Sequence, residues 1–289
     1  MILSVVIITY NEEANLGRTL ASVQALVAEG KGEIIVVDSG STDRTVEIAK
    51  SFGAKVFVEE WKGYAAQKNS AIDKATGDWI LSLDADEEVE PDLAAELANH
   101  EGINAVNPAD RSHNWCLTME QTSAGSRNLD KIMGPPTGYW ISRKNHFLGH
   151  WIKYGGFWPD PKLRLFRRGA GTFENRVVHE DVQFEGPTSS LRGALLHHSY
   201  PTLADYIDHM NRYSSLGAEM AIAKGNRGFG FLNIVLRPIA TFVYNYFFRL
   251  GFLDGREGLL LHLYHAAYVS WKYAKAWELA HKGNGPQRE

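Results

Sequence analysis

The stretch LSVVIITYNEEANLGRTLASVQALV, residues 3–27, begins with a mainly apolar run and continues, after a short polar stretch, with apolar residues at helical spacing. The run at 3–10 is rich in β-branched residues and lacks polar alternation, which is typical of a strand buried on both faces. After it, Leu16, Leu20 and Val23 fall on one side of a helix. A buried strand followed by an amphipathic helix predicts the first unit of a parallel α/β sheet.

The same alternation continues after this helix. EIIVVD at 33–38, AKVFVE at 54–59 and WILSLD at 79–84 are typical of strands, and helical patterns lie between them at 42–52 and 64–75. Strands without polar alternation, separated by helices of roughly 10 to 15 residues, indicate a parallel sheet covered on both faces. We therefore predict an α/β fold with an open, mainly parallel sheet, helices on both faces and a helical C-terminal region.

Four segments follow from these patterns. Residues 1–98 form the first half of the sheet domain, 99–138 a loop or insertion, 139–200 the second half, and 201–289 a helical region. The segment 99–138 is polar and weakly periodic, and a loop of that length is usually functional or mobile. We therefore keep it as a candidate lid.

Composition narrows the classes of function. The 289 residues carry a net charge of -4 and a pI near 6.3, which gives no overall electrostatic attraction to nucleic acid. A single cysteine, Cys116, excludes an intramolecular disulfide and a zinc site built on several thiols. The first residues lack the positive n-region of a signal peptide. We expect a cytoplasmic protein that does not bind nucleic acid.

Two aspartates stand where the strand at 79–84 ends. Residues two apart in an extended stretch point the same way, so Asp84 and Asp86 can present both carboxylates to one ligand. Like charges held that close favour a nearby cation, and Mg²⁺ or Mn²⁺ bound by carboxylates and substrate phosphates fits this pattern. The alternative is that the acids of this stretch only favour the start of a helix near Pro91.

Asp38 ends the second predicted strand, at the edge where ligands bind in such sheets. A carboxylate in that position commonly accepts hydrogen bonds from a nucleotide ribose. The turn after it offers Ser41 or Thr42 as the cap of the next helix, which leaves a purely local role open. Neither a G-x-G-x-x-G nor a P-loop pattern occurs in the sequence, which argues against a dinucleotide fold and a P-loop enzyme.

An imidazole and two acids follow the strand-like residues 176–178. A reaction that removes a proton from an alcohol needs a base besides the acids assigned to metal, and Glu180 is the leading candidate. Asp181 and His179 remain competitors. A structural His–Glu pair would give the same sequence pattern.

Aromatic and basic residues are dense between 139 and 168. The rings suit a platform for sugar, although core packing is the default for aromatic side chains. They are Tyr139, Trp140, Trp151, Tyr154, Phe157 and Trp158. Arg164, Arg167 and Arg168 could grip phosphate through their guanidinium groups or form a solvated basic edge.

Four motifs together resemble the nucleotide-sugar domain of glycosyltransferase family 2, which has the GT-A fold. They are TYNEE at 9–13, VVDSGSTDRT at 36–45, AAQKNSAI at 65–72 and LSLDADE at 81–87. The resemblance reaches from residue 1 to about residue 95. It implies a Rossmann-like GT-A sheet, a UDP-sugar as donor and a divalent metal ion, Mg²⁺ or Mn²⁺.

The same resemblance implies roles for single residues. Several side chains would line the uridine pocket or lie near the nucleotide. They are Thr9, Tyr10, Glu12, Asp38, Lys68 and Asp84. Asp84 and Asp86 would form the D-x-D metal site, whose ion bridges the nucleotide diphosphate.

A second resemblance is to the lipopolysaccharide-core glucosyltransferases of the WaaE/KdtX type. It rests on SRKNHFLGHW at 142–151, PDPKLRLFRRG at 159–169, VHE at 178–180, LLHHSYPTLADYIDHMNRYS at 195–214 and LDGREG at 253–258. It matches Glu180 to the acid proposed as base. It implies inverting transfer of a sugar, glucose in that group's chemistry, to a saccharide acceptor such as a lipid-linked lipopolysaccharide core.

Two rival functions stay open. A polyprenyl-phosphate sugar transferase would share the first hundred residues but use a lipid phosphate as acceptor. A non-catalytic sugar-binding or scaffold protein is the rival from another class, although it would have no need for Asp84, Asp86 and Glu180 together. A test with different acceptors separates the first rival, and UDP release from UDP-sugars separates the second.

Two apolar segments, 229–250 and 258–279, are long enough for a membrane span, which needs about 20 residues. Arg237 and Pro238 interrupt the first and polar residues the second, so neither predicts a span. From 200 to 289, ten Lys and Arg stand against seven Asp and Glu. This balance, with many Tyr and Trp, predicts helices lying on an anionic membrane, and packing against the sheet is the alternative. We expect a peripheral protein on the inner face of the cytoplasmic membrane.

Overall fold

The computed structural model describes residues 2–99, 135–174, 182–225 and 230–282. These residues belong to two compact units. The first unit holds the described residues up to 142 and those at 161–174 and 182–195. The second unit holds the described residues at 143–160 and 196–282.

Strands and helices alternate in the first unit, and helices predominate in the second. The strands are β1 (Leu3–Thr9), β2 (Gly32–Asp38), β3 (Lys55–Val58), β4 (Trp79–Asp84), β5 (Glu87–Val89), β6 (Gly138–Phe147), β7 (His150–Trp151), β8 (Pro161–Arg167), β9 (Gly171–Phe173), β10 (Val182–Phe184) and β11 (Thr188–Tyr200). The α-helices are α1 (Leu16–Val27), α2 (Thr45–Ser51), α3 (Tyr64–Asp73), α4 (Pro91–Ala98), α5 (Leu203–Ala223), α6 (Arg237–Val243) and α7 (Gly255–Lys282). Short 3₁₀ or π-helical turns lie at Ala28–Gly30, Leu232–Leu236, Tyr244–Phe248 and Gly251–Asp254.

The main sheet has the strand order β3-β2-β1-β4-β8-β6-β11-β5, and β7 pairs with the end of β6. β1 runs parallel to β2 and β4, and β2 runs parallel to β3. β8 runs antiparallel to both β4 and β6. In the register, Thr9 lies opposite Asp38 and Ile8 opposite Asp84. The carboxyl ends of β1, β2 and β4 therefore meet at one edge of the sheet.

Helices cover both faces of this sheet, because successive residues of each strand enter different cores. Val5 and Ile7 of β1 pack in one buried cluster with Leu16 and Leu20 of α1. Val6 of the same strand packs in a second cluster with residues of α3. Side chains that alternate between two covered faces explain why these strands lack polar alternation.

The predicted fold class is confirmed, including the parallel first half and the helical C-terminal region. The predicted elements up to β4 lie within a few residues of the observed ones. The predicted division at 98, 138 and 200 stays a prediction. Most of the candidate lid, residues 100–134, lies outside the described residues.

One local prediction about α2 is wrong. The helix begins at Thr45, and neither Ser41 nor Thr42 caps it. Instead the Asp43 carboxylate accepts a hydrogen bond from the Thr45 backbone N–H at 3.0 Å. The Ser41 hydroxyl oxygen accepts from the Asn11 backbone N–H at 2.8 Å instead of from a helix N–H. The expected helix start near Pro91 is confirmed, because α4 begins at that residue.

The second unit has its own small core, formed by Phe147, Ile152, Tyr206 and Leu261. Its longest helices are α5 and α7. Thr202 and Asp205 close the start of α5 as a reciprocal capping box. Among the described helices, none combines the length and the hydropathy that a membrane crossing requires.

Candidate active site

Asp38 is the centre of the turn after β2. Its carboxylate is buried and accepts hydrogen bonds from the Thr9 hydroxyl at 3.0 Å and from the Ser41 hydroxyl. It also accepts from the backbone N–H groups of Gly40 and Ser41, at 2.9 and 2.8 Å. These four bonds match the acceptor capacity of a carboxylate. Asp38 therefore fixes the shape of this turn at the sheet edge.

The segment after β1 is fastened to the same turn. The Asn11 backbone N–H donates to the Ser41 hydroxyl at 2.8 Å, and the Thr42 N–H donates to the Asn11 side-chain oxygen at 2.8 Å. The Glu12 N–H donates to the Thr45 hydroxyl at 2.7 Å. Asn11 has a φ of 53°, the left-handed region that Asn tolerates better than most residues. These hydrogen bonds join the TYNEE and DSGSTD motifs to each other at the edge of the sheet.

Asp84 lies between two cations at the end of β4. The Lys68 Nζ is 2.8 Å from one carboxylate oxygen of Asp84, and the Arg164 guanidinium contacts the other at 2.5 Å. The same Arg164 atom contacts Glu87, whose side chain is fully buried. Coulombic attraction to Asp84 and Glu87 outweighs the effect of burial and raises the pKa of Arg164. A buried Lys, Arg and two acids form one network across α3, β4, β5 and β8.

Asp86 and Glu12 add negative charge beside this network. Burial raises the pKa of Glu12 above its ordinary value, and the charges of Asp86, Asp43 and Asp84 raise it further, although a hydrogen bond from Asn15 opposes them. Asp84 and Asp86 are half-buried, whereas the intervening Ala85 is buried. Ala85 and Asp86 form a turn after β4, so the extended geometry expected for the pair ends at Asp84.

The residues suit a hard divalent cation. Carboxylate oxygens are the ligands that Mg²⁺ and Mn²⁺ prefer. A cation beside Asp84 and Asp86 would relieve the repulsion that their charges add to the burial of Glu12. In the described part of the chain, no three His, Cys, Asp or Glu side chains converge as a metal site. An ion at Asp84 and Asp86 would therefore need further ligands, which substrate phosphates can provide.

Comparison with known proteins decides the family. The family model described as glycosyl transferase family 2 matches residues 4–114. A glycosyltransferase of Rickettsia typhi is 31% identical over 97% of this chain and 88% of its own length. The chain belongs to glycosyltransferase family 2. The resemblance inferred from the four motifs is thereby confirmed.

Two further proteins are similar to this glycosyltransferase, one in sequence over most of the chain and one in a solved structure. The lipopolysaccharide core biosynthesis glycosyltransferase LpsC of Rhizobium meliloti is 28% identical over 96% of this chain and 92% of its own length. Among solved structures, glucosyl-3-phosphoglycerate synthase from Mycobacterium tuberculosis in complex with Mn²⁺, UDP and glucosyl-3-phosphoglycerate is similar. It has 30% identity, covers 35% of this chain and 41% of that chain, and gives a TM-score of 0.30.

The predicted site residues of the glycosyltransferase fall into three groups. The first group lies at the sheet edge: Thr9 contacts Asp38, and Lys68 contacts Asp84. Glu12 belongs to it as well, because the charges of Asp84 and Asp86 raise its pKa. Tyr10 is 59% exposed at the same strand end. Glu180, with its competitors His179 and Asp181, lies outside the described residues. The nucleotide and metal roles of these residues stay predictions.

The structure corrects the interpretation of two aromatic or basic residues. Arg164 is buried with Asp84 and Glu87, so it is neither part of a solvated edge nor open to a phosphate. Tyr139 is fully buried in the core and cannot serve as a sugar platform. Trp151 and Trp158 are half-buried and remain accessible.

Sequence reasoning missed the roles of Arg164 and Glu87. A signal was present, because Arg164 interrupts the apolar run Leu163–Phe166 of a buried strand. A charged residue is almost never fully buried unless it is paired. The distance of 77 positions between Arg164 and Glu87 hid the partner.

Proposed function

We propose that this glycosyltransferase transfers a sugar from a UDP-sugar to a saccharide acceptor, with inversion at the anomeric carbon. Glucose is the first candidate for the sugar. The observation that carries the proposal is the shared sheet edge, where Asp38, Asp84 and Asp86 follow parallel strands. Ligands of open α/β sheets bind at this edge, and Asp84 and Asp86 there suit a metal-bound diphosphate.

The proposed acceptor is a lipid-linked oligosaccharide such as the core of lipopolysaccharide. The similarity to LpsC over nearly the whole of both chains supports this class of acceptor. The agreement includes the second half of the chain, which in the proposed division binds the acceptor. A polyprenyl phosphate is the rival acceptor that the assay below distinguishes.

In the proposed reaction Glu180 removes the proton from an acceptor hydroxyl. The oxygen of that hydroxyl forms a bond to the anomeric carbon while the bond from that carbon to UDP breaks, and UDP leaves with the bonding electrons. Asp84 and Asp86 would hold Mg²⁺ or Mn²⁺, which supplies charge neutralisation for the diphosphate when bound. Lys68 and Arg164 orient Asp84 through their ion pairs.

We also propose that the chain works as a peripheral protein on the inner face of the cytoplasmic membrane. Thirteen large apolar residues between positions 231 and 263 of the second unit are exposed. They are Phe231, Leu232, Leu236, Ile239, Val243, Tyr244, Phe247, Phe248, Leu250, Phe252, Leu253, Leu259 and Leu263. We call them the 231–263 segment.

The spacing within this segment supports a lipid contact. Leu232, Leu236, Ile239, Val243 and Phe247 follow one another at intervals of three or four residues along consecutive helical turns, so they share one side. A soluble monomer rarely exposes a large contiguous apolar surface. Helices that lie in the membrane interface bury such a stripe among the lipid headgroups and acyl chains.

UDP release from a panel of UDP-sugars tests the transfer, with lipid-linked core oligosaccharide and polyprenyl phosphate as alternative acceptors. We expect release that depends on the oligosaccharide and stops with EDTA, and a product whose anomeric configuration, read by NMR, is opposite to that of the donor. Retained configuration would contradict the inverting mechanism. Transfer to polyprenyl phosphate alone would replace the proposed acceptor, and the absence of release from every UDP-sugar would refute the donor.

A further inference from the structure

Two exposed aromatic side chains of the first unit lie against each other where α3 begins. Trp61 is 49% exposed and Tyr64 is 53% exposed. Their ring centroids are 4.7 Å apart and the ring planes meet at 86°. In such a T-shaped contact the edge of one ring covers one face of the other. Each ring therefore keeps at least one face that its partner does not cover. We call these two side chains the aromatic pair.

The aromatic pair follows the carboxyl end of β3. This strand runs parallel to β2, and its last residue, Val58, lies opposite Asp38 in the pairing. Trp61 and Tyr64 come only a few positions after Val58 in the sequence. The pair therefore belongs to the sheet edge at which β1, β2 and β4 also end, the last of them at Asp84.

Tyr64 lies on the side of α3 that faces the sheet. Lys68 and Ala71 occur four and seven positions after it, which places the three residues on one side of the helix. Lys68 and Ala71 are buried, whereas Tyr64 is exposed. Tyr64 is the first residue of α3, and helical side chains lean toward the amino end of their helix, so its ring extends past the end of the sheet. It is therefore exposed on the side where ligands of open sheets bind.

The short segment that carries Trp61 is held at both ends. The Glu59 backbone N–H donates to the Asp38 carbonyl at 2.9 Å, and the Glu59 carboxylate lies 2.5 Å from the Lys74 Nζ of α3. Gly63 directly precedes α3 with a φ of 93°, a backbone conformation that favours glycine. A surface that is already ordered loses little conformational entropy when a ligand binds. These contacts make the aromatic pair a preorganised binding surface.

The strand order gives the direction in which a bound nucleotide extends. From β4, which carries the proposed metal site, the parallel strands continue through β1 and β2 to β3. On the other side of β4, the neighbouring β8 is antiparallel. Adjacent strands lie about 4.8 Å apart, so the ends of β4 and β3 are separated by roughly 14 Å. This separation is comparable with the length of an extended nucleoside diphosphate whose phosphates lie at the end of β4.

Asp38 offers little further acceptor capacity to a nucleoside, because its carboxylate already accepts four hydrogen bonds from the surrounding chain. Aromatic side chains bind bases through their faces, and this stacking tolerates any base because every base has a π-face. We propose that the aromatic pair stacks on the base of the donor nucleotide. The inference rests on the proposed function for the location of the diphosphate at Asp84 and Asp86. Stacking supplies affinity for the donor and leaves the choice of base to other contacts.

The test titrates the full chain, ¹⁵N-labelled at its tryptophan side chains, with three probes in the presence of Mg²⁺. They are UDP, GDP and inorganic pyrophosphate, which has no base. Trp61→Phe assigns the indole signal of Trp61. We expect UDP to shift this signal, because the ring current of a stacked base acts on the indole, and we expect pyrophosphate to leave it in place.

Variants separate stacking from a general loss of apolar surface. Trp61→Ala should weaken UDP binding about five- to 150-fold, the range for removal of an aromatic ring stacked on a base, and leave pyrophosphate binding unchanged. Trp61→Phe should restore part of the affinity. The matched control is Trp277→Ala, because Trp277 is 38% exposed in α7. That variant should bind all three probes as the unmodified chain does.

Steady-state kinetics give an independent measurement. A stacked base contributes equally to the bound donor and to the transition state, so Trp61→Ala should raise KM for the UDP-sugar and change kcat little. A fall in kcat at unchanged KM would overturn the stacking contact, because it would place Trp61 at the reacting atoms or in the fold.

Three further results would overturn the stacking contact: a Trp61 indole signal that neither nucleotide shifts, equal affinity of Trp61→Ala and the unmodified chain for the nucleotides, or an equal loss of pyrophosphate binding in Trp61→Ala. The two nucleotides separate this inference from the proposed function. Binding of GDP that depends on Trp61, without binding of UDP, would refute the proposed donor and leave the stacking contact standing. Transfer from a UDP-sugar by Trp61→Ala with unchanged KM would support the proposed donor and refute the stacking.

Discussion

The sheet edge of the first unit and the 231–263 segment of the second unit violate the usual distribution of side chains in opposite ways. At the sheet edge, charged groups such as Lys68, Asp38, Glu87 and Arg164 are buried. In the 231–263 segment, apolar groups are exposed, with Phe248 at 75%. Buried charges are compensated inside the protein by ion pairs and hydrogen bonds. Exposed apolar groups require compensation from outside, which a lipid surface would supply.

The largest effect is expected where the sheet edge meets its ligand. Asp86→Asn should reduce UDP release to the level seen with EDTA, because it removes a carboxylate proposed to hold the metal. The free energy of unfolding should stay close to that of the unmodified chain. Activity and denaturant unfolding, measured on the same samples, check both statements.

Asp84→Asn provides the matched contrast at the same site. It should also lose activity, but in addition it leaves Lys68 and Arg164 short of a partner. Breaking a fully buried ion pair costs about 3–5 kcal/mol. Asp84 is half-buried and Arg164 keeps Glu87, so we expect a smaller loss, with unfolding at lower denaturant concentration than for Asp86→Asn. Equal stability of the two variants would mean that the ion pairs of Asp84 do not support the fold. Unchanged activity of both in EDTA would refute the metal site.

The next effect concerns the base. Glu180→Gln should lower kcat about 10²- to 10⁴-fold, the usual contribution of a positioned base, with little change in binding of the donor. The control is Asp181→Asn, which should keep most of the activity. If Asp181→Asn is the inactive variant, the roles of the two acids are reversed.

Substitution of Arg164 tests whether its ion pairs with Asp84 and Glu87 stabilise the buried charges at the sheet edge. Arg164→Leu leaves the fully buried Glu87 without this cation and should cost about 3–5 kcal/mol of unfolding free energy. Arg167→Leu is the matched control on the same strand, because Arg167 is exposed over the Trp79 ring at 5.2 Å. It should cost no more than about 1 kcal/mol.

A double variant sharpens the Arg164 result. Arg164→Leu with Glu87→Leu replaces both members of a buried pair by apolar groups, which is often neutral or stabilising. It should therefore be more stable than Arg164→Leu alone. A double variant less stable than the single one would show that the loss of the hydrogen bond from the Asp84 N–H to Glu87, at 3.0 Å, outweighs the gain from removing the buried carboxylate. Denaturant unfolding of both proteins decides between these outcomes.

The sequence predicts the local features of the first unit better than its long-range contacts. Local patterns predicted β1 to β4 because the burial of each strand is visible in a few consecutive residues. The Asp84 and Asp86 pair was also visible, since it directly follows a strand. The ion pairs of Arg164 join residues far apart in the chain, so no local pattern contains them. The predicted cap of α2 was wrong because the Ser41 oxygen accepts from the Asn11 N–H, a donor 30 positions away that spacing alone does not reveal.

A smaller effect, on binding to lipid vesicles, is expected from substitutions in the 231–263 segment. Phe247→Ser with Phe248→Ser should weaken binding to vesicles of phosphatidylglycerol and phosphatidylethanolamine about tenfold or more, from the apolar area no longer buried in lipid. The control is Val58→Ser with Trp61→Ser, which removes apolar residues of similar exposure from the first unit. High salt should weaken binding of the unmodified chain. If the unmodified chain does not bind such vesicles, the membrane proposal is refuted, whereas the proposed sugar transfer is not affected.

The smallest effect is a gain in stability from Glu12→Gln. Burial, with the charges of Asp86, Asp43 and Asp84, raises the pKa of Glu12 in the folded chain. The folded state then holds this proton to higher pH than the unfolded state does, so the ionised group lowers stability as pH rises above its ordinary pKa. Glu12→Gln should therefore raise the Tm at pH 7, and the gain should vanish as the pH falls below the ordinary pKa of glutamate, about 4.3.

A divalent cation should reduce the gain of Glu12→Gln, because an ion held by Asp84 and Asp86 relieves the same repulsion. Thermal unfolding of both proteins at pH 7, with UDP present and with either Mn²⁺ or EDTA, measures the difference. A gain in Tm that is the same in Mn²⁺ and EDTA would place the ion away from Glu12. A gain that persists at low pH would show that Glu12→Gln acts through packing, and the charged sheet edge would then contribute less to stability than its contacts imply.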